Sequence, residues 1–144
     1  MQDLGHPAKL NLFLTAQGGG VYEQALAEIQ EGEKQGHWMW FIFPQIAGLG
    51  TSAQSKKFAL AGRGEAQAYA AHDVLGDRLY EATEAMLDWA GTVSAASILG
   101  GLDAQKFRSS MTLFEAACSD AEPFAQAIEA FWEGERDGET LRRL

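Results

Sequence analysis

The chain has 144 residues, of which 47% are hydrophobic and 22% charged, and this balance is typical of one globular domain. Its 20 acidic and 11 basic residues give a net charge of −9, which argues against generic binding to the phosphate backbone of DNA or RNA. The longest apolar run, Trp38–Phe43, is far shorter than the roughly 20 residues that cross a bilayer, so we expect no membrane-spanning segment.

The cysteine content and the N-terminal sequence indicate the compartment. Cys118 is the only cysteine, which excludes an internal disulfide and favours a reducing environment. The first residues lack the basic start and the apolar core of a secretory signal. We therefore expect a cytoplasmic protein.

The first part of the chain predicts two helices separated by a glycine turn. Pro7 can open a first helix, whose apolar positions are Leu10, Phe13 and Leu14. The three glycines at 18–20 break it. A second, amphipathic helix follows and ends near Gly32, because apolar residues recur at i, i+3, i+4 and i+7. These residues are Tyr22, Ala25, Leu26 and Ile29.

The segment His37–Phe43 shows no helical period. Its continuous aromatic and branched side chains, closed by Pro44, favour a buried strand or extended segment over a helix. In an extended segment Trp38 and Trp40 would face one way and His37 the other. A single short helical turn is the alternative.

From Ser52 onward the patterns are helical again. The predicted features are an alanine-rich helix over Glu65–Ala71, a longer helix to Leu87 capped by Asp73, a short helix Ser94–Leu99 stopped by Gly100-Gly101, a helix from an Asp103 N-cap to about Ala117, a helix started by Pro123, and a last turn capped by Asp137 or Thr140. The sequence therefore predicts a mainly α, single compact multi-helix domain, with at most a short extended or β segment near 37–43.

Several sequence blocks resemble the DUF1810 family of small bacterial and fungal proteins, and together they span nearly the whole chain. They are Gly32-x-Lys34 leading into His37–Gln45, Gly48-Leu49-Gly50-x-Ser52, Glu65–Tyr69 with His72–Leu79, Asp103–Phe114, and Gly134-x-x-Asp137-x-x-Thr140-Leu141. The chain departs from the family pattern at Asp73, where proline is usual, and at Gly62-Arg63-Gly64, where a serine or threonine cap is usual. The resemblance implies membership of a family without a settled function.

A more distant similarity to the NADAR-type proteins rests on size, helical character and the content of tryptophan, lysine and arginine. Those proteins include N-glycosidases that act on riboflavin intermediates and ADP-ribose adducts. No catalytic residues align between them and this chain, so the similarity assigns no role to any residue.

The two ends of the aromatic segment carry groups that suit a ligand with a ring. His37 and Trp38 could form a stacking wall for a nucleobase or flavin-like ring. Gln45 follows the segment, and Ser52 lies on the glycine-bearing loop after it, where backbone amides could approach a ligand. The alternative is that the tryptophans fill the core. Because neither a P-loop nor a dinucleotide fingerprint is present, we predict no cofactor.

The block around Lys106 is the best anion-binding candidate. If a helix begins at Asp103, Lys106 shares a face with Ser109 or Ser110 near the positive end, where anions are favoured. Arg108 is rotated from Lys106 by about 200°, so the two cannot hold one phosphate from the same face. The alternative is a salt-bridged helix surface with serines at close helix contacts.

Glu65, Asp103 and His37 are the candidate catalytic residues, each as an acid or base. Glu28 also belongs among the options because it adjoins Ile29 on a helix that the pattern predicts to be largely buried. A cap or an ion pair explains each carboxylate equally well. Metal binding finds no support in the scattered histidines.

Two functional hypotheses follow. In the first, an aromatic-walled and locally basic pocket binds a small anionic or nucleotide-like ligand. A narrower version of this hypothesis adds hydrolysis of the ligand, and the most specific version is an N-glycosidase-type reaction. In the second, the chain is a non-enzymatic protein-interaction or structural module whose motifs mainly encode folding. The sequence does not decide between them and gives no oligomeric state.

Overall fold

The computed structural model describes residues 6–144, with side chains from Lys9 onward. The secretory-signal prediction and the Pro7 side chain lie outside this description. The described residues form ten helices. They are α1 His6–Gln17, α2 Val21–Glu31, α3 Met39–Ile42, α4 Ala53–Lys57, α5 Arg63–Ala71, α6 Leu75–Leu87, α7 Ala95–Leu99, α8 Gly101–Ala117, α9 Glu122–Trp132 and α10 Gly138–Arg142.

The prediction of a mainly α fold is confirmed. The 3.6-residue period of α2 is visible in its burial, since Tyr22, Ala25 and Ile29 all face the core. Helix α7 follows a Ser94 cap, whose hydroxyl accepts a hydrogen bond from Ser97 N at 3.1 Å. Within residues 6–144, no helix combines the length and the apolar character that crossing a bilayer requires.

The prediction that His37–Phe43 is extended is wrong, because this segment contains the helical turn α3. The amide of Ile42 donates to Trp38 O at 3.1 Å, and that of Phe43 donates to Met39 O, also at 3.1 Å. Burial follows the helical spacing, since Trp38, Met39 and Ile42 are buried while Trp40 is partly exposed. A run without polar residues hides its own period, because its exposed positions are apolar too.

Two predicted N-caps are also wrong. Helix α6 begins at Leu75 with Val74 at its N-cap, and the amides of Val74 and Leu75 donate to His72 Nδ1 at 3.1 and 3.2 Å, so Asp73 is not the cap. Helix α8 begins at Gly101, so Asp103 lies inside its first turn. Lys106 therefore lies in the second turn of α8, beyond the strongest part of the positive helix end.

Helix α8 is the central element of the fold. It packs against α3, α5, α7, α9 and α10. Its inward face carries Phe107, Met111 and Phe114, all fully buried, and the ring of Phe107 meets that of Phe43 edge-on at 4.7 Å. Lys106 and Ser109 of α8 lie at the edge of this face and line a cavity between α8 and its neighbours.

Gly76 lies in close contact with the backbone of α5 at Ala70, and this contact provides a stability prediction. A Cβ at this position would overlap the carbonyl oxygen of Ala70, so Gly76→Ala must displace backbone. We expect a loss of about 1–3 kcal/mol in the free energy of unfolding, as for other overpacked sites, measured by urea denaturation. Gly64→Ala is the control, because an added Cβ there meets nothing within 4 Å and α5 gains helix propensity. Equal stability of the two variants would contradict the close packing.

Candidate functional site

The structure places five of the ten predicted site residues in two separate cavities. The Lys106 cavity measures ≈ 240 Å³ and the Glu28 cavity ≈ 270 Å³. The Lys106 cavity is lined by Gln45, Leu49, Gly50, Ser55, Gln105, Lys106, Ser109, Asp137 and Glu139. The Glu28 cavity is lined by Gly19, Gly20, Val21, Gln24, Glu28, Gly36, His37 and Trp38. His37 and Trp38 therefore do not share a cavity with Lys106.

The Lys106 cavity forms where three distant segments meet, namely residues 45–55, helix α8 and residues 137–139. Gln45 reaches it after α3 and is fixed by its own carbonyl, which accepts from Leu60 N at 2.9 Å. The loop before α4 approaches so closely that a Cβ on Gly50 would overlap the hydroxyl of Ser55. Helix α8 contributes Lys106 and Ser109, which lie on one face at i and i+3 as predicted.

The ammonium group of Lys106 is held at the cavity wall by two contacts. Its Nζ lies 3.2 Å from Asp103 Oδ1 and 4.9 Å from the centre of the Trp40 ring. The other oxygen of Asp103 pairs with Lys34 Nζ at 2.8 Å. Because Asp103 is shared between two lysines, Lys106 is only partly neutralised and could still bind an anion.

Asp137 is a cavity residue that the sequence analysis did not place in a site. It is the N-cap of α10, one of the two residues predicted for that cap, and its Oδ2 accepts from Thr140 N at 3.0 Å and Thr140 Oγ1 at 2.6 Å. The same oxygen lies 3.2 Å from Ser109 Oγ. The block Gly134-x-x-Asp137 was the available signal, but only the fold shows that it meets α8.

Three predicted ligand-binding residues line neither cavity. Arg108 turns towards the end of α9, where its guanidinium contacts the carbonyl and the carboxylate of Glu135 at 2.8 and 3.2 Å. Ser110 is fully buried, and its hydroxyl has no hydrogen-bond partner in the described part of the chain. Ser52 caps α4 by accepting from Ser55 N at 3.1 Å.

The predicted catalytic residues are dispersed. Glu65 accepts from Ala61 N at 2.8 Å and pairs with Lys9 at 3.3 Å, away from both cavities. Asp103 lies beside the Lys106 cavity but is occupied by its two lysines. His37 is exposed at the Glu28 cavity. The structure therefore brings no two of these three residues into one cavity.

Glu28 forms a wall of the second cavity and is only 5% exposed. Its Oε1 accepts from Gln35 N, Gly36 N and Trp38 Nε1 at 2.8, 2.9 and 2.8 Å, and its Oε2 accepts from Gln24 Nε2 at 3.0 Å. Burial acts to raise the pKa of Glu28, but these hydrogen bonds outweigh it and lower the pKa to about 2. The side chain is thus a buried carboxylate anion at neutral pH.

Trp38 belongs mainly to the core. It is 3% exposed, its indole N–H is donated to Glu28, and Lys34 Nζ lies 5.2 Å from the ring centre. A ring with so little exposed area offers no face for stacking a nucleobase. Its role at the cavity is to position the Glu28 carboxylate.

A third cavity of ≈ 320 Å³ contains none of the predicted site residues and is lined in part by Tyr80, Cys118 and Asp120. Burial raises the pKa of the Cys118 thiol, which disfavours the nucleophilic thiolate. Among residues 6–144, no three histidine, cysteine, aspartate or glutamate side chains cluster closely enough to hold a metal ion.

Comparison with known proteins identifies relatives but no activity. The family described as "Protein of unknown function (DUF1810)" matches residues 7–144. The crystal structure of the conserved hypothetical protein Rv1873 from Mycobacterium tuberculosis is similar, with a TM-score of 0.91 and 38% sequence identity over 96% of this chain and 97% of that one. No curated protein matches the sequence.

Proposed function

This chain belongs to the DUF1810 family, and we propose that it binds a small phosphorylated or nucleotide-like molecule in the Lys106 cavity. One observation carries the proposal: polar side chains from three distant segments line the same cavity. These side chains are Gln45, the pair Lys106 and Ser109, and Asp137. Packing alone does not require such convergence of donors and acceptors.

The lining suits a molecule that combines an anion with hydroxyl groups. Lys106 provides the positive charge, while Gln45 and Ser109 provide neutral hydrogen-bonding groups. Asp137 and Glu139 provide carboxylates that can accept from ribose or sugar hydroxyls. At ≈ 240 Å³ the cavity is smaller than the roughly 300–1,000 Å³ of drug-sized sites, so it would take a sugar phosphate or one part of a nucleotide.

Hydrolysis, N-glycosidase-type in its most specific form, is the narrower version of this proposal. Hydrolysis would need a carboxylate in contact with the ligand. Asp137 and Glu139 line the cavity and could provide it, whereas Glu65 and Asp103 do not line the cavity. We propose a free small molecule as the ligand, since a net charge of −9 repels nucleic acid. We propose the cytoplasm as the compartment, since a lone cysteine fits a reducing environment.

Removal of the Lys106 charge tests the proposal. Ribose 5-phosphate, AMP and inorganic phosphate are screened by thermal shift, and the Kd of any that binds is measured by calorimetry. In Lys106→Met we expect the affinity to fall about tenfold or more, because the charge-assisted hydrogen bond to the ligand is lost while a long unbranched side chain is kept. Lys56→Met is the matched control, because Lys56 is exposed and has no ion pair within the described residues. Failure of all three probes to bind, or unchanged affinity in Lys106→Met, would refute the proposal.

A further inference from the structure

The Glu28 cavity shares no lining residue with the Lys106 cavity, and its lining contains one carboxylate and neither lysine nor arginine. We propose that it is a second ligand site, which takes a compact molecule bearing a primary ammonium group. Glu28 would accept from the ammonium, and the apolar body of the ligand would lie against Val21 and the neighbouring glycines. This inference is independent of the function proposed for the Lys106 cavity.

The charge of Glu28 lacks a counter-ion. Within the described residues, no lysine, arginine or histidine nitrogen lies within 4.0 Å of its carboxylate. Lys34, the lysine over the Trp38 ring, instead donates to Gly36 O at 2.6 Å and pairs with Asp103. A buried carboxylate without a cation favours a ligand that supplies one.

The two carboxylate oxygens differ in their remaining capacity. Oε1 is saturated by two backbone amides and the indole N–H of Trp38. Among the described residues, Oε2 accepts only from the side-chain amide of Gln24, which itself lines the cavity. A carboxylate oxygen can accept more than one hydrogen bond, so Oε2 keeps capacity that an ammonium group could use.

The walls limit the size and the sign of the ligand. A Cβ built on Gly19 or Gly20 meets nothing within 4 Å, so these glycines leave the space beside the carboxylate open. Gly20 is also the N-cap of α2, and a helix start carries about half a positive charge, which favours anions. The full negative charge of Glu28 opposes this, and Glu23 in the first turn weakens it further. The balance excludes phosphates and carboxylates.

Three probes of similar size and different charge test the proposal: benzylamine, benzyl alcohol and benzoate. Binding is followed at pH 7 by amide and indole NMR signals, chiefly the Gly36 N–H and the Trp38 indole N–H, both of which contact Glu28. We expect benzylammonium to shift these signals with at least about tenfold higher affinity than benzyl alcohol, and benzoate to leave them unchanged. Absence of a benzylammonium shift, or equal binding of benzyl alcohol or benzoate, would overturn the proposal.

Two variants separate binding from folding. Glu28→Gln should abolish benzylammonium binding, while Glu31→Gln, which removes an exposed carboxylate at the end of the same helix, should not. If Glu28→Gln fails to fold, Val21→Phe decides, because it obstructs the cavity from a partly exposed position without touching the carboxylate. Unchanged binding in a folded Glu28→Gln or in Val21→Phe would overturn the proposal.

Discussion

Replacement of Trp38 by alanine is expected to lower the free energy of unfolding by about 3–5 kcal/mol, as truncation of a large core side chain does. The side chain is 3% exposed, so its truncation would leave a cavity in the core where the indole ring lies. The substitution also removes the indole N–H that Glu28 accepts at 2.8 Å. Guanidinium denaturation followed by circular dichroism measures the loss.

Two further variants divide this effect into its parts. Trp38→Phe keeps an aromatic ring but not the N–H, and we expect a smaller loss of about 1–3 kcal/mol, since a buried carboxylate would lack one donor. Trp132→Ala is the control for the loss of an indole, because Trp132 is only partly buried. If Trp38→Ala were no more destabilising than Trp132→Ala, Trp38 would be a cavity wall and not a core residue.

The sequence predicts a helix where polar residues mark its exposed side. Helix α2 was predicted because Tyr22, Ala25 and Ile29 alternate with polar residues at helical spacing. For α3 the sequence favoured an extended segment over the helical turn, because Trp40 and Phe41 occupy the more exposed positions of the turn and are themselves apolar. The predicted cap of α6 was wrong because His72, and not Asp73, accepts from the amide of Leu75. The predicted cap of α8 was wrong because the helix begins at Gly101, two residues before Asp103.

The candidate site was predictable only within one helix. The spacing of Lys106 and Ser109 places both on one face, and Arg108 turns away from them as its rotation requires. The meeting of this face with Asp137 depends on how α10 packs on α8, which no local pattern encodes. Glu28 was recognisable as a charge beside Ile29, but three of its four hydrogen-bond donors lie on the loop that folds over it.

Acid is expected to destabilise the protein through Glu28. Its pKa in the folded protein, about 2, lies below the ordinary value of 4.5, because hydrogen bonds to the carboxylate outweigh the effect of burial. A group with a lowered pKa stabilises the fold above its unfolded pKa, and this contribution is lost as the pH falls towards the folded value. Between pH 5 and pH 2 the wild type should therefore lose about 3 kcal/mol through this one group.

Glu28→Gln isolates this contribution, because glutamine cannot ionise and has no such pH dependence. The free energy of unfolding, measured by urea denaturation at pH 7, 5, 4, 3 and 2, should differ most between wild type and variant above pH 5 and converge near pH 2. Glu31→Gln, on the exposed end of the same helix, should follow the wild-type curve. Parallel curves for wild type and Glu28→Gln would mean that the loop over residues 35–38 does not hold an ionised carboxylate. The buried anion on which the ammonium site depends would then be absent.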